Sequence, residues 1–233
     1  MEARSAARTA TRVGGSTHAG AGTGLTFSFE AKLQGLIGDL ADARIGATFN
    51  QYRESDGDDA GPESPGIRRA NLLAYVGARR EAPVLLVAEA AGWRGARYSG
   101  LCLFCERQFS DADPELRRSS RHPRGWSEPS ATVVQAAIAP WHDSVVLWNL
   151  VPTHPRRDEN PHTNRPPTRE ELRHGEEWLR RVMDVLQPRH VGAIGNHAAR
   201  ALGPEVPAVR HPSHGGAVAT TRGLRELMAR WLA

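Results

Sequence analysis

The sequence predicts an α/β fold with three layers, α/β/α, built on a four-stranded parallel sheet. The first observation is that short, almost fully apolar runs alternate along the chain with segments whose apolar residues recur at helical spacing. The second is that the apolar runs lack the in–out alternation of half-exposed strands, which indicates strands covered on both faces. The third is that 233 residues with 39% hydrophobic content suffice for one domain with a substantial core.

The chain before the first apolar run contains a tail, two helices and a loop. Residues 1–24 are rich in Ala, Gly, Thr and Ser without apolar periodicity, so we expect a disordered tail before one domain over residues 25–233. An Arg-rich, acid-poor start also occurs in transit peptides, but we favour a disordered leader. Helical spacing predicts helices over residues 25–40 and 67–79. The acidic, turn-rich stretch 53–69 predicts a surface loop with solvated charges rather than a metal site.

Strands and helices alternate in the rest of the chain, which favours a parallel sheet with helices on both faces. The capping box at Thr168 and Glu171 marks the start of a long helix that Pro188 ends. The predicted strands lie at residues 84–88, 144–148, 190–194 and 206–209. The other predicted helices lie at residues 131–139, from 195–196 onward, and at 221–232.

Composition excludes several classes of protein. Cys102 and Cys105 are the only cysteines, too few for a disulfide scaffold or a four-cysteine iron–sulfur or zinc site, and their scarcity fits a reducing cytoplasm. No apolar run approaches about 18 residues, so we expect no membrane partner. The net charge is +4, and Lys32 is the only lysine among 30 Lys and Arg residues. Arginine makes planar contacts to phosphate, so this basic chain permits a nucleic-acid partner without demonstrating one.

Polar or glycine-containing segments follow each predicted strand. Ligands of parallel sheets bind at the carboxyl ends of strands, so we expect these segments to form one rim. The first segment combines glycines with Arg94 and Arg97, which suits close approach of a phosphate-bearing ligand. Its glycine spacing matches neither a Walker loop nor a dinucleotide fingerprint. The four segments are residues 89–100, 149–155, 195–197 and 210–216.

Five pieces of the chain, in the family's order, resemble motifs of the uracil-DNA glycosylase superfamily. Residues 88–92 resemble the Gly-Glu-Ala-Pro-Gly motif, and residues 100–108 are similar to its continuation in bacterial members, Gly-Ile-Pro-Phe-Thr-Ser-Glu-Arg-Gln. The other pieces resemble the Asn-x-x-Pro-x-His-Pro, Asn-Arg-x-Pro-Thr, Gly-x-x-Ala and His-Pro-Ser stretches, and lie at residues 148–155, 164–168, 193–202 and 210–216. The resemblance covers about residues 67–233.

The resemblance implies an activity and a fold. Members flip deoxyuridine out of DNA and hydrolyse its N-glycosidic bond, which releases free uracil and leaves an abasic site. The family fold is a four-stranded parallel sheet between helices, as the strand pattern also predicts. We therefore expect a monomeric, cytoplasmic enzyme of base-excision repair whose partner is uracil-containing DNA, with no cofactor and no metal.

The resemblance also assigns roles to residues on the rim. His211 matches the histidine that donates to uracil O2 as negative charge develops there, with its own charge state left open. Asn149 matches the asparagine that reads uracil through O4 and N3–H. The stacking phenylalanine of the family aligns with Leu103, and we expect the neighbouring Phe104 to stack on uracil, with a plain core position as the alternative.

The remaining assignments concern DNA and the substrate loop. Ser213, with His214 and Gly215 beside it, is expected to hold a DNA phosphate. Arg94 and Arg97 are expected either to contact phosphate or to anchor their loop. The substrate is expected to lie against the backbone at Ala90, Ala91 and Gly92. His154 is expected to be structural and to bond a neighbouring loop.

Two departures from the family pattern leave the mechanism open. Ala90 stands where many members carry the Asp or Asn that orients the attacking water, and Ala91 replaces the usual proline. The family branch with Ala at the first position commonly carries a four-cysteine iron–sulfur cluster, which two cysteines cannot hold. Glu89 is the nearest carboxylate and our candidate for the water-side role, with capping of its loop as an equal alternative.

Two other functions remain open at this point. The first is a catalytically weak or inactive member that binds uracil-containing or abasic DNA, which the alanine at position 90 motivates. The second is a hydrolase of small nucleosides or nucleotides that uses the same rim. Excision of uracil from an oligonucleotide separates both from the glycosylase.

Overall fold

A computed structural model describes residues 27–109 and 114–233. The expected tail at residues 1–24 lies outside the described residues. The strands are β1 (Val84–Ala90), β2 (Val145–Val151), β3 (His190–Ile194) and β4 (Ala208–Val209). They form one four-stranded sheet with spatial order β2-β1-β3-β4, in which every pair of neighbours is parallel. The predicted four-stranded parallel sheet is therefore confirmed, with β3 at its predicted bounds.

Seven α-helices accompany the strands within the described residues. They are α1 (Phe29–Asp42), α2 (Ser64–Gly77), α3 (Ala96–Ser99), α4 (Pro129–Ile138), α5 (Arg169–Leu186), α6 (Asn196–Leu202) and α7 (Ala217–Trp231). Two short 3₁₀ helices span Glu106–Gln108 and Ala139–Ser144. None of these helices is long and apolar enough to cross a membrane, a finding that applies to the described residues alone.

The sheet is covered on both faces because alternate strand residues enter two different apolar clusters. Leu85 and Val87 face a cluster that includes side chains of α1, α2 and α5. Leu86 and Ala88 face a second cluster with side chains of α4 and α7. The predicted α/β/α arrangement is confirmed.

Three helices begin earlier than the sequence predicts, α4 by two residues and α2 and α7 by more. Helix α2 begins at Ser64 because Pro65 occupies its first turn, where proline needs no hydrogen-bond partner for its nitrogen. Helix α7 begins at Ala217, and its first turn carries Val218, which is 81% exposed. An exposed valine breaks the apolar periodicity that located the rest of that helix.

Helix α5 begins as its capping box predicts. The Thr168 hydroxyl accepts from Glu171 N–H, and the Glu171 carboxylate accepts from Thr168 N–H at 2.8 Å. The same buried carboxylate accepts two hydrogen bonds from Arg165, at 2.7 and 2.8 Å, and one from Ala47 N–H. Glu171 therefore joins the start of α5 to two preceding loops.

The acidic stretch before α2 is not a solvated face, so that expectation was wrong for its central residue. Asp59 is 1% exposed and forms ion pairs with the buried Arg68 and Arg97. Arg97 also pairs with Asp56, which in turn pairs with Arg156. Buried charges require such partners. This ion cluster attaches the acidic loop to the short helix that follows β1.

Candidate active site

A cleft of about 570 Å³ opens at the carboxyl ends of the strands. Each of the four segments predicted to form one rim contributes to it, which confirms that they come together. Two further segments, around Glu128 and Arg165, complete the wall. The sequence-predicted site residues that line the cleft are Glu89, Ala90, Ala91, Gly92, His211, Ser213 and His214.

The loop after β1 is a tight turn whose shape depends on Gly92. The carbonyl oxygen of Gly92 accepts from Gly95 N–H at 3.2 Å and from Arg97 N–H at 3.0 Å, so the chain turns directly into α3. Helix α3 ends at Gly100, whose φ of +76° favours glycine. The backbone of residues 89–92 is thereby fixed along one wall of the cleft.

His154 holds this loop from the adjacent loop after β2. Its Nδ1 lies 2.8 Å from the carbonyl oxygen of Ala91, so Nδ1 carries the hydrogen. Burial lowers the pKa of His154 to about 4, and the ring is neutral at pH 7. The structural role expected for His154 is confirmed.

The segment at residues 164–166 closes the opposite wall. Asn164 Oδ1 accepts from Trp93 N–H at 2.9 Å, which joins this wall to the loop after β1. Arg165 is held by its two bonds to Glu171. The contacts explain why an Asn-Arg pair occurs here, since one side chain binds the loop and the other binds the helix.

His211 lies on the loop between β4 and α7 with a defined tautomer. Its Nδ1 accepts from Ser213 N–H at 3.2 Å and lies 2.8 Å from the Ser213 hydroxyl. A backbone N–H can only donate, so the proton of the neutral ring is on Nε2. Burial, assisted by the neighbouring His214, lowers the pKa of His211, and the neutral form is favoured. The sequence left this charge state open, and the lowered pKa favours the neutral ring.

The turn beyond His211 requires its glycines. A methyl group at Gly216 would overlap the carbonyl oxygen of His211. His214 and Gly215 have φ of +52° and +75°, and both are exposed at the tip of the turn. Arg210 donates to the carbonyl oxygen of His214 at 2.9 Å. The loop therefore presents an exposed tip beside a partly buried imidazole.

Two carboxylates lie in the cleft. Glu89 lies beside His197, with Oε2 3.6 Å from Nε2, a contact that is an ion pair only when the histidine is protonated. Glu128, immediately before α4, was not predicted from the sequence. Its carboxylate contacts the loop after β1, where a methyl group at either Gly92 or Gly95 would overlap a carboxylate oxygen. Burial raises the pKa of Glu128 to about 7.

Most of the chain matches a known protein family. Residues 75–231, more than half of the chain, match the model of the uracil DNA glycosylase superfamily. The chain belongs to the uracil DNA glycosylase superfamily. No curated protein matches the sequence. Membership in this superfamily supports a DNA glycosylase type of function, with the hydrolase chemistry, DNA binding and role in DNA repair that this function includes.

The residue in the place of the glycosylase family's uracil-reading asparagine is Asn149, which is buried and is not among the residues that line the cleft. Asn149 pairs in register with Ala88 in the sheet and is 5% exposed. Its Oδ1 accepts from the Cys102 thiol at 3.2 Å. Burial raises the pKa of Cys102, which keeps the thiol protonated as a donor. Within the described residues Asn149 Nδ2 makes no hydrogen bond, so its donors remain free.

Two expected site residues lie elsewhere, and for each the structure shows the alternative role instead of a contact with substrate or DNA. Phe104 is 4% exposed and packs in the core against Tyr75 and Phe109, away from the cleft. Its alternative, a core position, is what the structure shows. Arg97 is buried in the ion cluster with Asp59, so it anchors the loop and has no surface to offer DNA. The N–H groups of this guanidinium bind carboxylates of the protein and are therefore not available to a phosphate.

Arg94 and Leu103 are the remaining residues to which the resemblance to the glycosylase family drew attention. Arg94 is exposed, and its guanidinium lies 4.6 Å from the centre of the Trp93 ring. Leu103, which aligns with the family's stacking phenylalanine, is buried with a φ of +46°. The described cleft therefore contains neither of the two residues considered for stacking.

Proposed function

We propose that the protein is a uracil-DNA glycosylase of base-excision repair that acts as a monomer in the cytoplasm. Deoxyuridine flipped from DNA would enter the cleft, and hydrolysis would release uracil and leave an abasic site. Support comes from membership in the superfamily, the order of the five motifs and their convergence on one cleft. No residue of this proposed mechanism calls for a cofactor.

The arrangement of His211 is the observation that carries the proposal. As the C1′–N1 bond breaks, the electron pair leaves with uracil, and negative charge develops on uracil O2. The ring lines the cleft, its Nδ1 is occupied by Ser213 N–H, and its Nε2 carries a proton. A neutral donor fixed in this way stabilises the developing charge without reorganising during the reaction.

We propose that Asn149 distinguishes uracil from cytosine. Its Nδ2 can donate to uracil O4, and its Oδ1 can accept from uracil N3–H through the lone pair that Cys102 leaves unused. Cytosine presents an amino group and an unprotonated N3 at these positions, so both contacts would be lost. A site built to hydrogen-bond one pattern rejects the other strongly, because buried polar groups would remain unpaired.

DNA would bind across the mouth of the cleft. The exposed Arg200 lines the cleft, and the exposed Arg94 and Arg210 lie within two residues of Gly92 and His211, which line it. The tip formed by Ser213, His214 and Gly215 belongs to the same loop as His211. Arginines in this position would bind phosphates flanking the flipped nucleotide. Affinity for DNA is then expected to fall steeply with rising salt concentration.

Incubation with labelled oligonucleotides tests the function. Each oligonucleotide carries one uracil, either single-stranded or opposite G or A, and alkali followed by a denaturing gel shows cleavage at abasic sites. The same sequences with cytosine or thymine are the controls, and free deoxyuridine and its monophosphate are assayed in parallel. Cleavage confined to uracil supports the proposal. A uracil-dependent gel shift without cleavage would replace it with a binding protein, and activity on the small nucleosides alone would replace it with a nucleoside hydrolase.

A further inference from the structure

Glu128 is a cleft carboxylate for which the described residues supply neither an ion pair nor a hydrogen-bond donor. The three fully buried carboxylates of the described residues have such partners. Asp59 pairs with two arginines, and Glu171 accepts from Arg165 and two backbone N–H groups. Glu106 accepts from Ser119 and Ser120. Glu128 is only half-buried at the wall of the open cleft, so its carboxylate is withdrawn from part of the solvent without gaining a partner in the described residues.

Glu128 can occupy its position because the two residues that face its carboxylate, Gly92 and Gly95, have no side chains. Its two carboxylate oxygens occupy the space that a Cβ would fill at Gly92 and Gly95. The same wall contains Ala90, whose methyl group cannot orient water. The Glu128 carboxylate therefore lies in the cleft against the loop after β1, which has alanine instead of an acidic residue at position 90.

We propose that Glu128 is the catalytic base that takes a proton from the water attacking C1′ of the flipped nucleotide. This assignment rests on the proposed glycosylase function. It gives the role to a side chain from the segment before α4, in place of both Ala90 and the earlier candidate Glu89. Glu89 differs from Glu128 in having a histidine, His197, 3.6 Å from its carboxylate.

The atoms of the step balance as a hydrolysis. The C1′–N1 bond breaks, and uracil leaves with the electron pair while His211 donates to its O2. The oxygen of water forms a bond to the cationic C1′, and its proton passes to the Glu128 carboxylate. The products are the abasic sugar and the uracil anion, and the proton on Glu128 is released to solvent or to uracil. No oxidant, reductant or other reactant is consumed.

The electrostatic surroundings suit a base that works near neutral pH. Burial is the cause that raises the pKa of Glu128 to about 7. Two thiols, Cys102 and Cys105, lie near enough for Glu128 to raise their pKa values, and both are buried and protonated. The titratable or charged side chains that share the cleft are Glu89, Arg165, His197, Arg200, His211 and His214. A base with a pKa near the working pH transfers protons most effectively.

Single-turnover excision of uracil by the wild-type chain, Glu128→Gln and Glu89→Gln tests the assignment. Glutamine keeps the shape of Glu128 and cannot accept the proton, so we expect the excision rate to fall about 100-fold or more. Affinity for the uracil oligonucleotide, measured by fluorescence anisotropy, is expected to stay within about threefold. The wild-type rate is expected to rise as the pH increases through about 7, a rise that Glu128→Gln abolishes and Glu89→Gln retains.

The thermal unfolding midpoint tests separately whether the folded state holds Glu128 with a raised pKa. The folded state holds Glu128 with a raised pKa, so ionisation of this carboxyl opposes folding at pH values above the ordinary pKa of a glutamate. Glu128→Gln is therefore expected to unfold at a higher temperature than the wild type at about pH 8, and at nearly the same temperature at about pH 5.

The outcomes separate the assignment from the proposed function. If the wild type excises uracil and Glu128→Gln stays within about threefold of it, the role of Glu128 is overturned and the function stands. Loss of the pH-dependent rise in Glu89→Gln but not in Glu128→Gln transfers the role to Glu89. A wild-type protein that releases no uracil overturns both. A large loss confined to Glu128→Gln, with affinity retained, supports both.

Discussion

The Nδ1 atom of His154 lies 2.8 Å from the carbonyl oxygen of Ala91, and this contact joins the loops that follow β1 and β2. The ring is fully buried and its pKa is lowered to about 4 by burial. A loop that lines the cleft is therefore held by a histidine that must stay neutral, which makes this contact sensitive to acid.

We expect stability to decrease as the pH falls from about 6.5 to about 4, because the unfolded chain then binds a proton that folded His154 excludes. His154→Asn keeps a donor for the Ala91 carbonyl oxygen and removes the titration. Between about pH 7 and pH 4.5 the wild type should lose about 1–3 kcal/mol more than this variant. Urea unfolding at both pH values measures the difference, and parallel losses in the two proteins would exclude His154 as the cause.

His211→Ala is expected to slow uracil excision about 100- to 1000-fold, because it removes a fixed donor to uracil O2. Ser213→Ala retains the backbone N–H that sets the tautomer, so its loss should be about tenfold or less. Single-turnover rates at saturating enzyme give the comparison. An equal loss in both variants would assign the effect to the Ser213 hydroxyl instead of the imidazole.

Asn149→Asp is expected to reduce uracil excision about 100-fold or more, since a carboxylate cannot donate to uracil O4. The carboxylate can accept from the amino group of cytosine, so the ratio of kcat/KM for uracil over cytosine should fall further. Cys102→Ala removes the thiol that holds Oδ1 and should lower the same ratio by a smaller factor. A ratio unchanged in Asn149→Asp would remove this residue from recognition.

Arg97→Met is expected to destabilise the fold by about 3–5 kcal/mol, because it leaves Asp59 buried without one of its two partners. Arg181→Met is the matched control. Arg181 pairs with Asp39 on the surface, and its loss should cost less than about 1 kcal/mol. Denaturant unfolding measures both. A stable Arg97→Met protein with reduced DNA affinity would restore the original expectation of a DNA contact.

The fold was largely predictable because its elements carry local signals. The apolar runs gave all four strands, and the capping box at Thr168 gave the start of α5. The convergence of the loops followed from strand direction alone, since parallel strands end at one edge. These features depend on residues adjacent in sequence or on a rule of topology.

The features that escaped prediction depend on partners distant in sequence. Nothing near Asp59 indicates burial, because its stabilising arginines come from α2 and α3. Glu128 precedes a Pro-Ser pair at a helix start and resembles an ordinary exposed residue. The glycines that make room for its carboxylate, Gly92 and Gly95, are distant in sequence and face it only in the folded chain. Phe104 was expected at the cleft because it is the aromatic neighbour of Leu103, which aligns with the family's stacking phenylalanine, whereas tertiary packing places its ring in the core.

Glu171 serves both the cleft wall and the start of α5, so substitutions at this position affect the two together. One carboxylate starts α5, holds Arg165 on the cleft wall and binds Ala47 N–H. A change at this position therefore cannot alter the wall while sparing the helix. Descendants of this chain that drift towards other substrates are expected to vary at the free tip around His214 and to keep Glu171, since a single replacement there would need several simultaneous compensations.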